Sequence, residues 1–370
     1  MHIYGHHSLL WTFPESQNHH QLPYCPNDQQ HQQHYLPTTY TPTQTPKMRL
    51  TFLTTVLTLL HLTTASILPQ LDSNLLPKFK AALSKTKGHG INLKTTTGFP
   101  APASNTNTNS TTYSFPKTYA LLLFRSFEIL DAYGPIEILQ FVSHFHPLRL
   151  LIFSRSGPPA PVLTSPTLPS MNPQNSSFYP TFNPTHAIPT SEEQWNDPDM
   201  RKVLESVDVL LVPGGMGVYN PDLERGGELE FLRRMRDEFG VGIGVGGERN
   251  DTKERKDKYL VTVCNGAAVA ARAGVLDGRR ATTNKMVWGE VTPLGEKVKW
   301  VSPARWVVDD NIWTSSGVTS GLDLTFEFVR QMYPDGVAMA DLIAGAIEHE
   351  PVMDWRYDPF AEWFGVPPQN

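Results

Sequence analysis

Four continuous apolar runs, each ended by turn residues, recur from residue 118 onward: TYALLLFR (118–125), LRLLIFSR (148–155), VDVLLVPGG (207–215) and KYLVTVC (258–264). Runs that are apolar on both faces are typical of parallel strands covered by helices. Segments with helical spacing alternate with them and follow them: Pro135 to about Phe145, Asp222 to Phe239, Asn265 to Ala273, 321–333 and 336–350. The pattern predicts a doubly wound α/β domain over 116–370, with a mostly parallel sheet and helices on both faces.

Two stretches interrupt this alternation. Residues 156–196 are rich in Pro, Ser and Asn, which predicts a long surface loop with a short hairpin. Residues 240–257 end in a charged run, and Gly242, Gly244 and Gly247 have the spacing of a dinucleotide-binding motif. That motif needs a strand before it and a helix after it, whereas here a helix precedes and a charged loop follows. We therefore interpret this stretch as an insertion and expect no cofactor.

The first 47 residues are rich in His, Gln, Pro and Thr and have no apolar periodicity. Seven of the 13 histidines lie before residue 35, so a metal-binding tail is one reading. The irregular spacing of these histidines favours the other reading, a solvated low-complexity extension without a metal site.

Residues 47–66, KMRLTFLTTVLTLLHLTTAS, have the layout of a secretory signal peptide. Basic residues flank Met48, an apolar stretch follows, and small residues end it; the stretch is too short for a comfortable membrane span. We expect translation to begin at Met48, which makes residues 1–47 an extension of the gene model and the protein secreted; with an earlier start it is cytoplasmic. The alternative for 48–66 is a short amphiphilic core segment.

Residues 67–115 contain a Thr/Asn/Ser-rich stretch and are predicted to be a disordered linker. Glycosylation sequons begin at Asn109, Asn175 and Asn250, all in segments predicted to be loops.

Composition excludes some classes of function. The formal net charge is −5, from 31 Lys and Arg against 36 Asp and Glu, and no cluster of basic residues predicts a nucleic-acid partner. The chain has two cysteines, Cys25 and Cys264, which excludes a disulfide scaffold.

Cys264 stands where the last apolar run meets a helical segment of small residues, Gly266, Ala267 and Ala268. A side chain on a sharp strand-to-helix turn points outward from the sheet, and the crowded turn requires small neighbours. The adjacent helix N-terminus favours the thiolate, so we expect a thiol pKa below the ordinary value of about 8.5. The alternative is a buried structural cysteine.

The sequence around this cysteine resembles the nucleophile region of the ThiJ/PfpI superfamily, within the class I glutamine amidotransferase-like fold. Four stretches of the chain carry the resemblance, and they occur in the same order as in the family: FEILDAYGPIEIL (127–139), VDVLLVPGGMGVYN (207–220), VTVCNGAAVAARAGVLDGRRATTN (261–284) and RWVVDDNIWTSSGVTSGLDLTFEFV (305–329). Together they span about 116–350. The branch that the chain most resembles is that of the isocyanide (isonitrile) hydratases and related transcription-regulator domains.

The resemblance implies that Cys264 is the nucleophile and that Asp131 lies against its sulfur. It also implies a pocket of backbone amides, at Gly214, Gly215 and Asn265, which stabilises negative charge. A cofactor-free site, a small-molecule substrate and a homodimer are further expectations from the family. The alternative is that Asp131 caps a helix that starts at Pro135.

The sequence departs from the family at two positions. Asn265 stands where hydratase-like members have Thr and protease-like members have His, and Asn284 replaces the histidine of an ATTH motif. A Cys-His-Glu triad is therefore not supported. Hydration of an isocyanide to an N-substituted formamide, through a thioimidate on Cys264, does not require histidine and is our leading hypothesis.

Two other functions remain open. One is a glyoxalase- or hydrolase-like stress protein that acts on reactive carbonyls at the same cysteine. The other is a non-catalytic sensor or ligand-binding domain, although the sequence has no helix-turn-helix-like segment beside the domain, which argues against a regulator.

If Met48 is the true start, the mature protein should begin near Ile67 and carry sugar on Asn109, Asn175 or Asn250. N-terminal sequencing and glycosidase treatment of protein from its native host would check this. A cytosolic protein that retains residues 1–66 would contradict it.

Overall fold

A central sheet of seven strands organises the computed structural model, which describes residues 115–243 and 257–369. The predicted extension, signal peptide, nearly all of the linker, and residues 244–256 of the insertion lie outside these ranges. The strands are β1 (Thr118–Leu123), β2 (Arg149–Ser154), β3 (Val162–Leu163), β4 (Thr181–Phe182), β5 (His186–Ala187), β6 (Val209–Val212), β7 (Tyr259–Thr262), β8 (Arg280–Ala281), β9 (Lys299–Trp300), β10 (Trp306–Asp309) and β11 (Ile312–Ser315).

The main sheet has the order β10-β11-β7-β6-β1-β2-β5. Every neighbouring pair in it is parallel except β10 and β11, which form an antiparallel hairpin at one edge. The chain runs from β1 outward to β5 and then returns to β6 on the other side of β1. This reversal makes a topological switch point between β1 and β6, where ligands bind in open α/β sheets. The predicted doubly wound α/β fold is confirmed.

Ten α-helices accompany the strands in the described part of the chain. They are α1 (Ile129–Ser143), α2 (Glu192–Asn196), α3 (Pro198–Glu205), α4 (Asp222–Arg225), α5 (Glu228–Asp237), α6 (Gly266–Arg272), α7 (Trp288–Val291), α8 (Thr319–Met332), α9 (Gly336–Ala346) and α10 (Pro359–Trp363). Helices α1, α8 and α9 pack against one another, whereas α5 packs against α6. Strands β1, β6 and β11 are buried along their whole length, as strands covered on both faces must be.

Two helices differ from their predicted bounds. Helix α1 begins at Ile129 and contains Pro135 in its interior, so Asp131 lies in its first turn and does not cap a helix that starts at the proline. The residue before α1, Glu128, makes no side-chain cap bond either. The predicted helix from Asp222 to Phe239 is two helices, because the chain turns at Gly227, where φ is +90°.

The loop over 156–196 contains the predicted hairpin, formed by β3 and β4. It packs against the start of α1, where the Phe182 and Tyr133 rings stack with centroids 4.4 Å apart. The backbone N–H of Ser126 also donates to Leu163 O at 2.9 Å. The loop therefore covers the segment that leads from β1 to Asp131.

No helix in residues 115–243 or 257–369 combines the length and apolar character that a membrane span requires.

Candidate functional site

Cys264 occupies a strained turn between β7 and α6. Its φ is +59°, a left-handed conformation that few residues other than glycine adopt. Its backbone is held on two sides, since Cys264 N donates to Ser316 O at 3.0 Å and Thr283 Oγ1 donates to Cys264 O at 3.1 Å. The structure thus places the predicted nucleophile on an elbow at the carboxyl end of a central strand.

The small residues after Cys264 have a steric reason. A Cβ added to Gly266 would lie 2.4 Å from Val212 O and 2.7 Å from Pro213 O, so only glycine fits there. Ala267 and Ala268 are fully buried. The start of α6 lies directly on the end of β6, and this close approach sets the sharpness of the turn.

Asp131 reaches the same place from α1. It is 2% exposed, and its Oδ2 accepts the Gly214 N–H at 3.0 Å. Asp131 Oδ2 and the backbone nitrogen of Asn265, the residue after Cys264, both approach Gly214. The carboxyl group and the thiol therefore lie near each other, and each influences the pKa of the other. The two residues that the family resemblance assigned to the site are therefore brought together, at the switch point between β1 and β6.

The predicted amide pocket differs from the observed arrangement. Gly214 N donates to Asp131, and Gly215 N donates to Asn265 Oδ1 at 2.7 Å. The Asn265 side chain returns a second bond from Nδ2 to Gly215 O at 3.2 Å. Both glycine amides are thus occupied by side chains and are not open to a negative substrate atom. The backbone N–H of Asn265, by contrast, acts on the thiol of Cys264 and lowers its pKa.

Asn284 contacts the nucleophile directly. Its Nδ2 donates to Cys264 Sγ at 2.9 Å, and its Oδ1 accepts the Met286 N–H at 2.8 Å, which fixes the orientation of the amide. Sequence reasoning treated Asn284 only as the loss of a histidine. Its position in the family's ATTH motif is the signal that could have identified it. Asn284 stands at the histidine position of that motif and places a neutral hydrogen-bond donor where the family has a base.

Burial controls the electrostatics of the thiol. Cys264 is 5% exposed; this desolvation raises its pKa, and the charge of Asp131 raises it further. The Asn284 amide and the Asn265 N–H act in the opposite direction but do not overcome these effects. The expectation of a thiol pKa below the ordinary value is therefore wrong, because the end of a short helix cannot offset the removal of the sulfur from water.

The Asp131 carboxyl also holds its proton more tightly than an ordinary aspartate. Burial raises its pKa to about 7, the Gly214 N–H lowers it, the charge of Glu128 raises it, and the Cys264 contact lowers it. A carboxyl group with a pKa near neutrality can both accept and donate a proton during a reaction.

The site is narrow. Cys264, Asp131 and Asn265 are all at most 5% exposed. A cavity of about 210 Å³ opens at the ends of β1 and β2, but neither Cys264 nor Asp131 is among its lining residues. Only a slim reactive group can reach the sulfur in this arrangement. Within the described residues, no group of three or more His, Cys, Asp or Glu side chains is placed to hold a metal ion.

The chain is similar to known proteins. A model of the DJ-1/PfpI family matches residues 251–331, which include Cys264 and Asn284 but not Asp131. The isonitrile hydratase of Pseudomonas putida is 31% identical over 146 residues, which are 39% of this chain and 53% of that protein. The chain thus spans about half the length of this curated relative. The predicted resemblance to the ThiJ/PfpI superfamily, with an isonitrile hydratase-like branch, is confirmed.

Two solved structures are also similar to the chain, at low sequence identity. A THiJ/PfpI family protein from Pseudomonas syringae has a TM-score of 0.46 and 20% identity, covering 69% of this chain and 84% of that one. DJ-1 of Schizosaccharomyces pombe has a TM-score of 0.42 and 13% identity, covering 63% of this chain and 100% of that one.

Asn284→Ala should slow alkylation of Cys264, because the sulfur loses a donor that stabilises its thiolate. A rise of one unit in the thiol pKa would lower the rate at pH 8 about tenfold. Iodoacetamide labelling, followed by mass measurement of the Cys264 peptide, separates this thiol from Cys25. Asn175→Ala, in an exposed loop, is the matched control. Equal rates in all three proteins would contradict the assignment.

Asp131→Asn should stabilise the protein at and above pH 7. The carboxyl has a pKa of about 7 in the folded protein, against an ordinary value of 3.8. The folded state therefore binds the extra proton between these values, and the wild-type protein loses stability as pH rises through that window. A difference of about three units between the two pKa values corresponds to about 4 kcal/mol in the free energy of unfolding.

Urea unfolding of both proteins from pH 4 to pH 8 would measure this difference. The advantage of Asp131→Asn should grow with pH and level off above pH 7. Asp199→Asn, at an exposed aspartate, is the control. A stability difference between Asp131→Asn and the wild-type protein that does not change with pH would contradict the raised pKa.

Proposed function

Residues 251–331 belong to the DJ-1/PfpI family, and from this premise we propose that the protein is a cysteine-dependent isocyanide hydratase. The observation that carries the proposal is the placement of a buried elbow thiol near a buried carboxyl group, that of Asp131, whose pKa is raised to about 7. The substrate is a small molecule with a terminal isocyanide, and the product is the corresponding N-substituted formamide.

The first step inserts the isocyanide carbon into the S–H bond of Cys264. The Asp131 carboxylate takes the thiol proton as the sulfur attacks the terminal carbon, and then gives that proton to the same carbon. The product of this step is a thioimidate, R–N=CH–S–Cys264. A thiol with a raised pKa needs such a base, because little thiolate is present before the reaction.

The second step adds water to the thioimidate carbon. Asp131, again a carboxylate, removes a proton from water, oxygen bonds to carbon, and the nitrogen receives the proton. The tetrahedral adduct then loses its hydroxyl proton, the C–S bond breaks, and the sulfur leaves and is reprotonated. The formamide R–NH–CHO is released and the resting thiol is restored.

The neutral Asn284 amide supports this chemistry over amide hydrolysis. Its Nδ2 donates to the sulfur in the attacking and leaving states and stabilises negative charge there. A cysteine peptidase or amidotransferase needs a base that also protonates an amine leaving group, and an asparagine cannot do this. Isocyanide hydration expels only the thiolate.

The enclosure of the thiol favours the same substrate class. An isocyanide presents a linear N≡C group with its reactive atom at the tip, so it can enter a site in which Cys264 is 5% exposed. A peptide carbonyl carries substituents on both sides of its reactive carbon.

Variants of the two reacting residues test the proposal. Cys264→Ala should abolish turnover of an alkyl isocyanide, and Asp131→Asn should lower kcat about 10²–10⁴-fold, the usual contribution of general acid–base catalysis. In the wild-type protein, kcat/KM should rise with pH up to about 7 and then level off, because the carboxylate is the active form. Product formation by mass spectrometry, with Asp199→Asn as a control, gives these rates.

Three outcomes would contradict the proposal. Turnover by Cys264→Ala near the wild-type rate would exclude the covalent step. Turnover of a 2-oxoaldehyde such as methylglyoxal, without any isocyanide activity, would identify a carbonyl-directed enzyme. Failure to convert either class would favour a ligand-binding domain.

A further inference from the structure

Lys285 is a buried lysine directly beside the nucleophile. Its side chain is 1% exposed, and the ammonium group lies 2.9 Å from Asp358 Oδ2. Four further acceptors on three segments lie within hydrogen-bond distance of the same ammonium: Thr282 Oγ1 at 3.0 Å, Thr283 O at 3.0 Å, Ala304 O at 3.0 Å and Ser316 Oγ at 3.2 Å. A lysine is strongly hydrated in water, so its burial requires acceptors for all three of its N–H groups, and these oxygens supply them.

Two of the residues that accept hydrogen bonds from Lys285 also bond to the backbone of Cys264 and so hold the elbow. Thr283 donates its hydroxyl to Cys264 O, and Ser316 accepts the Cys264 N–H with its carbonyl. Asn284, whose amide contacts Sγ, lies between Thr283 and Lys285 in the chain. One ammonium group therefore fixes the segment on each side of the nucleophile.

Asp358 brings the C-terminal segment into this arrangement. That segment is joined to residues 302–305 by backbone bonds: Gln369 and Ser302 exchange two, at 2.6 and 2.9 Å, and Arg305 N donates to Trp355 O at 2.6 Å. Lys285 reaches the same stretch through Ala304 O. The carboxylate of Asp358 is itself 0% exposed, so the ion pair is closed to water.

We propose that Lys285 is a positioning residue for the reaction of Cys264, and that Asp358 keeps it charged and in place. It acts through Asn284: the ammonium holds Thr283 and Ser316, which bond to the Cys264 backbone, and so keeps the segment that carries Asn284 beside the sulfur. This inference deepens the proposed function, in which the same thiol is the nucleophile. It does not depend on the identity of the substrate, since it concerns the state of the thiol.

A double-mutant cycle on the full chain tests the proposal. The variants are Lys285→Met, Asn284→Ala and their combination, and Lys297→Met, an exposed lysine, is the control. Each protein is labelled with iodoacetamide over a pH series, and the Cys264 peptide is followed by mass. Lys285→Met should slow labelling at pH 8 about tenfold, as Asn284→Ala should. A tenfold effect corresponds to a rise of one unit in the pKa of the Cys264 thiol. The combined variant should be no slower than Asn284→Ala alone.

Two results would overturn the proposal. If the slowing factors of Lys285→Met and Asn284→Ala multiply in the combined variant, Lys285 acts on the thiol by its own charge and not through Asn284. If Lys285→Met labels at the wild-type rate, the lysine has only a structural role. Neither result depends on turnover of an isocyanide, so failure of this proposal is distinguishable from failure of the proposed function.

Lys285→Met leaves Asp358 buried without a partner and can prevent folding. The variant Lys285→Met/Asp358→Leu removes both charges, and replacing a whole buried ion pair by apolar groups is often tolerated. Thermal unfolding identifies which variants fold. If Lys285→Met/Asp358→Leu folds, iodoacetamide should label its Cys264 as slowly as that of Asn284→Ala. Labelling at the wild-type rate across the pH series would refute the proposal.

Discussion

The close approach of α6 to the end of β6 is the constraint on which the site depends. Gly266 touches the carbonyl oxygens of Val212 and Pro213, so the chain must turn sharply between Thr262 and Gly266, and Cys264 takes up the strain with a φ of +59°. Such strain persists only where the surroundings over-determine the conformation. Here the bonds from Ser316 and Thr283 to the cysteine backbone do so, and they draw two further segments of the fold around the sulfur.

The charges of the site follow from its burial. Two acidic groups, the thiol and Asp131, face each other away from water, so they titrate as a coupled pair and neither gives up its proton readily. Neutral donors from Asn284 and Asn265 act against this effect. A site built in this way transfers one proton between sulfur, carboxyl and substrate and does not keep a free thiolate, which limits unwanted alkylation or oxidation of the cysteine.

Much of the fold and part of the site could be predicted from the sequence. The apolar runs located β1, β2, β6 and β7, because parallel strands buried on both faces leave an unbroken hydrophobic pattern. The start of α1 was predicted at Pro135, because proline usually begins a helix, but the helix starts earlier, at Ile129. The interior position of Pro135 depends on tertiary packing. The pairing of Cys264 with Asp131 followed from family resemblance. The occupied amides of Gly214 and Gly215, the contact of Asn284 and the ion pair of Lys285 depend on side-chain directions that no local pattern encodes.

The separation of Lys285 and Asp358 along the chain has a consequence for synthesis on the ribosome. The strands of the main sheet, the elbow and Asn284 all precede Asp358 in the sequence, so β7, α6 and the Asn284 segment can associate before that residue emerges. Lys285 cannot be enclosed with its counter-charge until Asp358 has left the exit tunnel. The nucleophile therefore acquires its final surroundings well after its own synthesis, and until then the nascent chain carries an unfinished site.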